Sequence, residues 1–357
     1  MKKMLIFVAI VSLVAGSLFA EEAILIDFGK LAADIHVAVG PDDEDDTPNQ
    51  NRQTMMDFSR VRFGGSFTEE QKKVMRTSLA ISNWEVLLSS SSRTVTNMVL
   101  SYTKEAPSKQ WGTVMGVRIH FPLEHFNGYA VIQPPFEIPA YEPQADVDDD
   151  GNISEKEPEE GEENNDGITS ESRFEDGYGV VKNVGTVKSV AVNVYGLNFP
   201  HGLSALIIDS TGNKKSMFMG YLNFDGWGEL RWDNPMYIQE VRKRDLRLYP
   251  LYPTSTPFVK FAGFEIRRDS AREGGDFISY FKDVKIIYDK ATLDSERDID
   301  DEVLWSIIQT RENARKSWEM ERFGHNQVLR YLDAQKQATE TEFTPTETND
   351  SGNGDSE

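Results

Sequence analysis

Short runs of β-branched and aromatic residues recur along this chain, separated by turns that contain Gly, Pro or Asn. In the clearest run, Val187, Val190, Val192 and Val194 nearly alternate with polar neighbours, as expected of a strand with one buried face. Such evenly spaced short strands without intervening helices predict a mainly β protein built as an antiparallel β-sandwich. The predicted strands are Ala23–Phe28, Thr94–Tyr102, Val114–Phe121, Thr186–Gly196, Leu203–Ile208, Met217–Leu222, Gly228–Trp232, Phe258–Ile266 and Phe277–Tyr288.

Near the C-terminus, apolar residues recur about every four positions instead of every second position. Acidic residues near the start of this pattern suit the positive end of a helix dipole. We predict a C-terminal amphipathic helical segment over residues 291–339, interrupted near Gly324 and resuming at Gln327. We expect its apolar stripe to contact either a groove of the same chain or a neighbouring subunit. The stripe consists of Val303, Leu304, Ile307, Ile308, Ala314 and Trp318.

The first residues predict export. Lys2 and Lys3 precede an apolar run over 5–18 and the small residue Ala20, which is the pattern of a signal peptide over 1–20 cleaved after Ala20. The run is shorter than the roughly 20 apolar residues of a transmembrane helix, so we expect no membrane insertion. Because the chain has no Cys, we expect neither a lipid anchor at the new terminus nor disulfides, and its length suffices for a core without them.

The net charge of −21 is concentrated in three segments. Residues 142–176 carry a net −13, residues 340–357 carry −6 and residues 42–46 carry −5, so the remainder is about +3. We therefore predict a β-sandwich domain over 21–290 with a largely disordered acidic insertion at about 140–176, and a disordered acidic tail over 340–357. A nearly neutral body can self-associate, whereas the acidic segments repel nucleic acid, so we exclude nucleic-acid binding.

One segment of the insertion fits a calcium-loop template. Oxygen ligands fall at positions 1, 3, 5, 9 and 12 of an EF-hand-type loop, and Gly151 falls at position 6, where the loop must turn sharply. The candidate ligands are Asp146, Asp148, Asp150, Ser154 and Glu157. Pro143 and Pro158 flank the loop in place of helices, so the pattern predicts at most weak calcium binding, and chance occurrence in so acidic a segment is the alternative. We expect no other cofactor.

Recognisable catalytic motifs are missing from the sequence, and we do not expect an enzyme. The five histidines, His36, His120, His125, His201 and His325, form no zinc-binding spacing. Asp225, Glu229 and Asp233 could form a glycosidase pair, but such carboxylates also arise by chance in an acidic chain.

An aromatic cluster offers two interpretations, either core packing or a sugar-stacking platform. It consists of Tyr221, Phe224, Trp227, Trp232, Tyr237, Tyr249 and Tyr252. The second interpretation would make the chain a secreted, non-catalytic carbohydrate-binding module, which is the alternative function.

Six segments resemble, in the same order, those of the spirochaete flagellar filament outer layer (sheath) proteins, the FlaA family. The resemblance implies an exported periplasmic subunit that coats a core of flagellin-type proteins, associates with other sheath subunits and with itself, and stiffens or shapes the filament. The strand order also resembles the jelly-roll, galactose-binding-like fold, which is a likeness of fold and not of function. The resembling segments are Ile24–Phe28, Trp111–Pro122, Val187–Trp232, Gly263–Arg268, Tyr280–Tyr288 and Gln327–Leu332.

Overall fold

The structure is a computed structural model. It describes residues 20–32, 77–140, 145–147, 153–155, 174–244, 249–250, 257–291, 293–294 and 304–342, together with the single positions 54, 56, 67, 68, 71 and 75. The predicted signal peptide before Ala20, the acidic cluster at 42–46, most of the acidic insertion and the chain beyond 342 lie outside the described residues.

Strands dominate the described part of the chain. They are β1 (Glu21–Asp27), β2 (Glu85–Leu88), β3 (Tyr102–Ser108), β4 (Gly112–Phe121), β5 (Gly128–Gln133), β6 (Ala145–Val147), β7 (Ile153–Glu155), β8 (Val180–Lys182), β9 (Val184–Leu197), β10 (Gly202–Asp209), β11 (Lys214–Tyr221), β12 (Asp225–Asp233), β13 (Tyr249–Pro250), β14 (Phe258–Arg268), β15 (Gly275–Lys290) and β16 (Leu293–Asp294). The helices are α1 (Phe28–Leu31), α2 (Val95–Leu100), α3 (Tyr237–Arg244) and α4 (Ile307–Glu342), and Ile81–Asn83 forms a 3-10 turn.

Two six-stranded antiparallel sheets form the predicted sandwich. Sheet A has the order β12-β9-β15-β4-β3, and β1 pairs with the C-terminal half of β15. Sheet B has the order β11-β10-β14-β5-β2, and β8 pairs with the N-terminal end of β14. The chain passes repeatedly between the sheets, as in a jelly roll, because β4 is in sheet A, β5 in sheet B, β9 in sheet A and β10 in sheet B.

The hydrophobic core lies between the inner faces of the two sheets. Phe264 of β14 stacks on Phe281 of β15 with ring centroids 4.3 Å apart, so the central strands of the two sheets meet there. In the same core, the ring centroids of Phe28 and Trp84 are 5.3 Å apart. Each fully buried aromatic side chain stabilises the fold by roughly 1.5–3 kcal/mol. Eight of the nine predicted strands supply this core and are confirmed.

The prediction of a strand over Thr94–Tyr102 is wrong, because most of that segment is the helix α2. The Thr94 hydroxyl accepts a hydrogen bond from the backbone N–H of Asn97 at 3.1 Å, which is an N-cap interaction that starts a helix. Val95 and Val99 are 73% and 72% exposed, so their β-branched side chains gain nothing from strand packing. The next strand, β3, begins only at Tyr102.

The C-terminal helix is confirmed but its predicted bounds change. Helix α4 is continuous over 36 residues from Ile307 to Glu342 and passes through Gly324 without a break. Gly324 is buried, so it lies on the packed side of the helix, where it needs no room for a side chain. One Gly costs a helix only about 1 kcal/mol, which packing offsets here.

The folded body includes residues at both ends of the region assigned to the acidic insertion. Ala140 and Phe174 are buried, and the Phe174 ring lies 6.1 Å from that of Phe136, so both positions belong to the folded body. Within the insertion, β6 and β7 pair as a short antiparallel hairpin. Among the described residues, no helix has the length and apolar character needed to cross a membrane.

Candidate functional site

The predicted aromatic cluster is divided between two faces of sheet A. Along β12 the side chains alternate, so Leu230 and Trp232 pack against the core together with Phe224, whereas Trp227 projects from the opposite, outer face. Tyr237 lies on α3 and donates its hydroxyl to Asp289 at 3.0 Å. These residues therefore do not form the single sugar-stacking platform that the sequence suggested. Tyr221 is exposed on β11, Tyr249 is described only as backbone in β13, and Tyr252 lies outside the described residues.

The three candidate glycosidase carboxylates are too far apart. Asp225, Glu229 and Asp233 lie on β12 at steps of four residues, and four residues of strand span about 13 Å. A glycosidase pair needs about 5–9.5 Å. Asp233 also accepts a hydrogen bond from Arg231 Nε at 2.8 Å, so this trio has no arrangement for glycoside hydrolysis.

A different set of aromatic residues is brought together on the outer face of sheet A. Trp227 of β12 lies opposite Tyr195 of β9, and Tyr195 lies opposite Tyr280 of β15. The ring centroids are 5.4 Å and 5.9 Å apart, each pair edge to face. Trp227, Tyr195 and Tyr280 thus form an aromatic row that crosses three neighbouring strands.

Beyond Tyr280, the same line of register partners crosses β4 and ends at β3. Gly116 lies opposite Tyr280 and Lys104 lies opposite Gly116. A Cβ at Gly116 would lie 3.2 Å from the Tyr280 ring, so the ring leans over the space that this glycine leaves. Any larger residue at this position would push the ring away from the sheet.

Trp111 reaches the aromatic row from the turn between β3 and β4. The Ser108 hydroxyl accepts hydrogen bonds from the backbone N–H groups of Gln110 and Trp111, both at 3.3 Å. Gly112 follows with φ +72°, a conformation that glycine adopts without strain. This turn places the Trp111 ring 6.3 Å from that of Trp227, and Trp111 remains 39% exposed.

Polar side chains border the aromatic row on both sides. On one side, Asp276 accepts hydrogen bonds from Arg118 Nε at 3.1 Å and Nη2 at 2.9 Å, and its Oδ1 lies 2.8 Å from His120 Nδ1. Hydrogen bonds from Arg118 and His120 lower the pKa of Asp276. Tyr102 lies opposite Arg118 at the edge of the sheet.

On the other side of the row, Asn193 Nδ2 donates to Asp283 Oδ1 at 2.7 Å. Burial raises the pKa of Asp283, and the hydrogen bond from Asn193 opposes that change. Glu229 lies opposite Asn193 and is exposed. We call the aromatic row, Trp111 and these two polar borders the outer-face site.

Histidines serve separate structural roles. His125 Nδ1 lies 3.2 Å from the carbonyl oxygen of Ser270, and His201 is buried among Phe121, Phe199 and Phe277. Burial lowers the pKa of His201 to about 4, and the charge of Arg268 contributes. His36 lies outside the described residues, and the described residues contain no group of three or more side chains suited to hold a metal ion.

The predicted calcium ligands lie in and around the β6–β7 hairpin. Asp146 of β6 and Ser154 of β7 are register partners, while Asp148, Asp150 and Glu157 lie outside the described residues. The backbone described here is a hairpin and not a helix–loop–helix. Calcium binding stays a prediction.

Helix α4 packs one face on the body and leaves another uncovered. Phe323 contacts Phe136, with ring centroids 5.6 Å apart, and Arg330 Nη2 donates to Glu85 Oε2 at 3.0 Å. Beneath the helix, the buried Lys260 ammonium lies 3.0 Å from Glu137 and 3.6 Å from Glu319.

The uncovered face carries apolar side chains at helical spacing. Trp318, Leu329 and Leu332 are exposed and lie within about 60° of one another around the helix. We call these three residues the outer stripe. Of the stripe predicted from the sequence, Leu304 and Trp318 are exposed, Val303 lies outside the described residues and the side chain of Ile308 is not described.

The outer-face site contains residues that the sequence did not indicate. The sequence assigns no site to Tyr195, Tyr280 or Trp111, because the residues that lie beside them are determined by strand register. The sequence did carry one usable signal, since Trp227 and Trp232 are separated by an odd number of positions and a strand alternates its faces.

Comparison with known proteins places the chain in a family. The family described as "Flagellar filament outer layer protein Flaa" matches residues 47–297. A flagellar filament outer layer protein of Treponema pallidum (strain Nichols) is 48% identical over 351 residues, which is 97% of each chain. That of Spirochaeta aurantia is 43% identical over 331 residues, or 91% of this chain and 90% of the relative.

Among solved structures, a carbohydrate-binding module of the β-sandwich superfamily matches with a TM-score of 0.27 and 8% identity, covering 57% of each chain. The family match spans most of the chain, and both relatives align with it almost from end to end. The chain is therefore a member of the FlaA family of flagellar filament outer layer proteins.

Proposed function

We propose that this chain is a structural, non-enzymatic subunit of the outer layer of a periplasmic flagellar filament, and that it contributes to filament shape, stiffness and motility. The observation that carries the proposal is its 48% identity to an outer layer protein over 97% of both chains. At this level of identity and coverage the whole architecture is shared, including the C-terminal segment.

The proposal includes the location and the partners. The chain is exported by its signal peptide, cleaved after Ala20, and folds in the periplasm. It binds flagellin-type core filament proteins, other sheath subunits and further copies of itself. Support comes from the nearly neutral body outside the acidic segments, which lets copies pack without strong charge repulsion. In an outer layer, subunit contacts of heterologous type would propagate into an open array.

The outer stripe is our candidate for one of these contacts. Trp318, Leu329 and Leu332 present apolar side chains over about 21 Å of helix surface. The opposite face of α4 is already occupied by contacts such as Phe323 on Phe136, whereas the outer stripe stays exposed, with the Arg322 guanidinium of the same helix 5.4 Å from the Trp318 ring centroid. A filament contact would remove its apolar surface from water.

The experiment is to isolate periplasmic filaments and detect the protein by mass spectrometry and immunogold labelling. In a strain producing a Leu329→Glu, Leu332→Glu double variant, we expect a soluble, folded protein that is lost from the filaments. Leu123→Glu is the matched control, because Leu123 is 74% exposed on the β4–β5 connection, and it should incorporate normally. Absence of the wild-type protein from filaments would overturn the function, whereas incorporation of the double variant would overturn only the assigned contact.

A further inference from the structure

We propose that the outer-face site binds an uncharged oligosaccharide chain, which lies along the aromatic row and therefore across the strands of sheet A. The site is the row Trp227, Tyr195 and Tyr280 with Trp111 and its polar borders. The proposal concerns a face of the sandwich separate from α4 and does not rest on the filament role.

The dimensions of the row suit a chain of linked sugar rings. Neighbouring strands lie about 4.8 Å apart, and the three ring centroids follow one another at 5.4 Å and 5.9 Å. The length of a pyranose unit in an extended chain is similar to this spacing, so successive sugar rings can meet successive side chains. The leaning Tyr280 ring above Gly116 extends the contact surface towards β4.

The polar borders favour a sugar over an apolar protein segment. Arg118 and Asp276 line one side, and Asn193, Asp283 and Glu229 line the other. An apolar helix laid on the row would take these groups out of water without replacing their hydrogen bonds, which is unfavourable. A sugar has an apolar ring face for the aromatic side chains and hydroxyl groups at its edge that can both donate to and accept from the borders.

The charges point to an uncharged ligand. Asp276 is paired with Arg118, and the charges of Lys282 and Lys285 act on Asp283. Lys104 lies in line with the row and is opposite in charge to the exposed Glu229. The site thus has little net charge to attract an ionic polymer. The acidic insertion and tail, with −13 and −6, further repel acidic polysaccharides.

The test is binding of neutral tetrasaccharides to the purified mature protein. Cellotetraose, chitotetraose and β-1,4-galactotetraose are titrated by calorimetry, with hexa-galacturonate as the acidic comparison. We expect at least one neutral chain to bind with a Kd below about 1 mM and the acidic chain not to bind. Trp227→Ala and Tyr280→Leu should each weaken binding at least tenfold, equivalent to about 1.4 kcal/mol.

Trp305→Ala is the matched control, because Trp305 is 68% exposed and lies just before α4, a helix that packs on Glu85 and Lys260 of sheet B, and it should leave binding unchanged. Urea unfolding of each variant verifies that it is folded. If one of the two site variants is unstable, the other still tests the proposal. Failure of all three neutral chains to bind, preference for the acidic chain, or unchanged binding in both Trp227→Ala and Tyr280→Leu would overturn the proposal.

Discussion

Trp227 and Trp232 lie five positions apart on β12 and project from opposite faces of sheet A, Trp227 beside Tyr195 and Trp232 towards the core. The two tryptophans should therefore contribute differently to stability. We expect Trp232→Ala to lower the free energy of unfolding by about 2 kcal/mol, since a half-buried ring loses part of the 3–5 kcal/mol found for full burial. Trp227→Ala should cost less, about 1 kcal/mol, because its ring packs on Tyr195 and Trp111 of the outer face and not on the core.

Urea unfolding followed by far-UV circular dichroism measures both values without depending on tryptophan fluorescence. Equal losses in the two variants would contradict the assignment of the two residues to opposite faces.

Strand positions were readable from the sequence where the local pattern was strong. The valines of 186–196 alternate because one face of β9 is buried, and that prediction is confirmed. In contrast, the β-branched residues Val95 and Val99 favoured a strand in the sequence. The segment is a helix, which the N-cap at Thr94 starts. Short strands such as β2 and β5 were missed because four to six residues contain too little pattern to separate them from loops.

The outer-face site could not be found in the same way. Tyr195, Trp227 and Tyr280 are far apart in the chain and meet only through the register of β12, β9 and β15. A shift of one residue in either pairing would turn a ring to the core side, and a single sequence does not specify such pairings. The amphipathic helix is a local feature, so it could be predicted.

His201 should make the protein sensitive to acid. Its pKa is lowered to about 4 from the ordinary value of 6.5, first by burial and then by the charge of Arg268. The unfolded chain takes up a proton near pH 6.5 while the folded protein does not until about pH 4, so stability falls as the pH falls through this window, by about 3 kcal/mol at most.

His201→Phe should remove this dependence. Neither ring nitrogen of His201 has a hydrogen-bond partner among the described residues, and Phe fits the surrounding aromatic rings, of which Phe277 is 4.9 Å away. Urea unfolding at pH 7 and pH 5 gives the comparison. A variant that loses as much stability on acidification as the wild type would show that His201 is not the responsible group.

Glu319 should produce a pH dependence of the opposite sign. Glu319 lies on the packed side of α4, and its burial raises its pKa above the ordinary value of 4.5, although the charges of Lys260 and Arg315 favour the charged form. The folded protein then binds a proton more tightly than the unfolded chain, so this contribution is present below pH 4.5 and is lost as the pH rises through the raised pKa. Relative to wild type, Glu319→Gln should become more stable as the pH increases.

Glu321→Gln is the control for that series, because Glu321 is exposed on the same helix. Its stability difference from wild type should stay constant between pH 4 and pH 8. A constant difference for Glu319→Gln as well would mean that burial does not govern the titration of Glu319.

Gly263 should be the least replaceable glycine of sheet B. It lies where the register between β10 and β14 shifts, at φ +122°, and an added Cβ would lie 2.1 Å from the carbonyl oxygen of Ile132 on β5. Gly263→Ala must therefore both strain its own backbone and displace the neighbouring strand, and we expect a loss of at least about 3 kcal/mol.

Gly112→Ala separates the two effects, because Gly112 has φ +72° with no atom within 4 Å of the added Cβ. That control should lose only about 1–2 kcal/mol from backbone strain, and thermal unfolding of both variants compares them directly. Similar losses in the two would mean that the backbone conformation alone, and not the contact with β5, requires glycine at position 263.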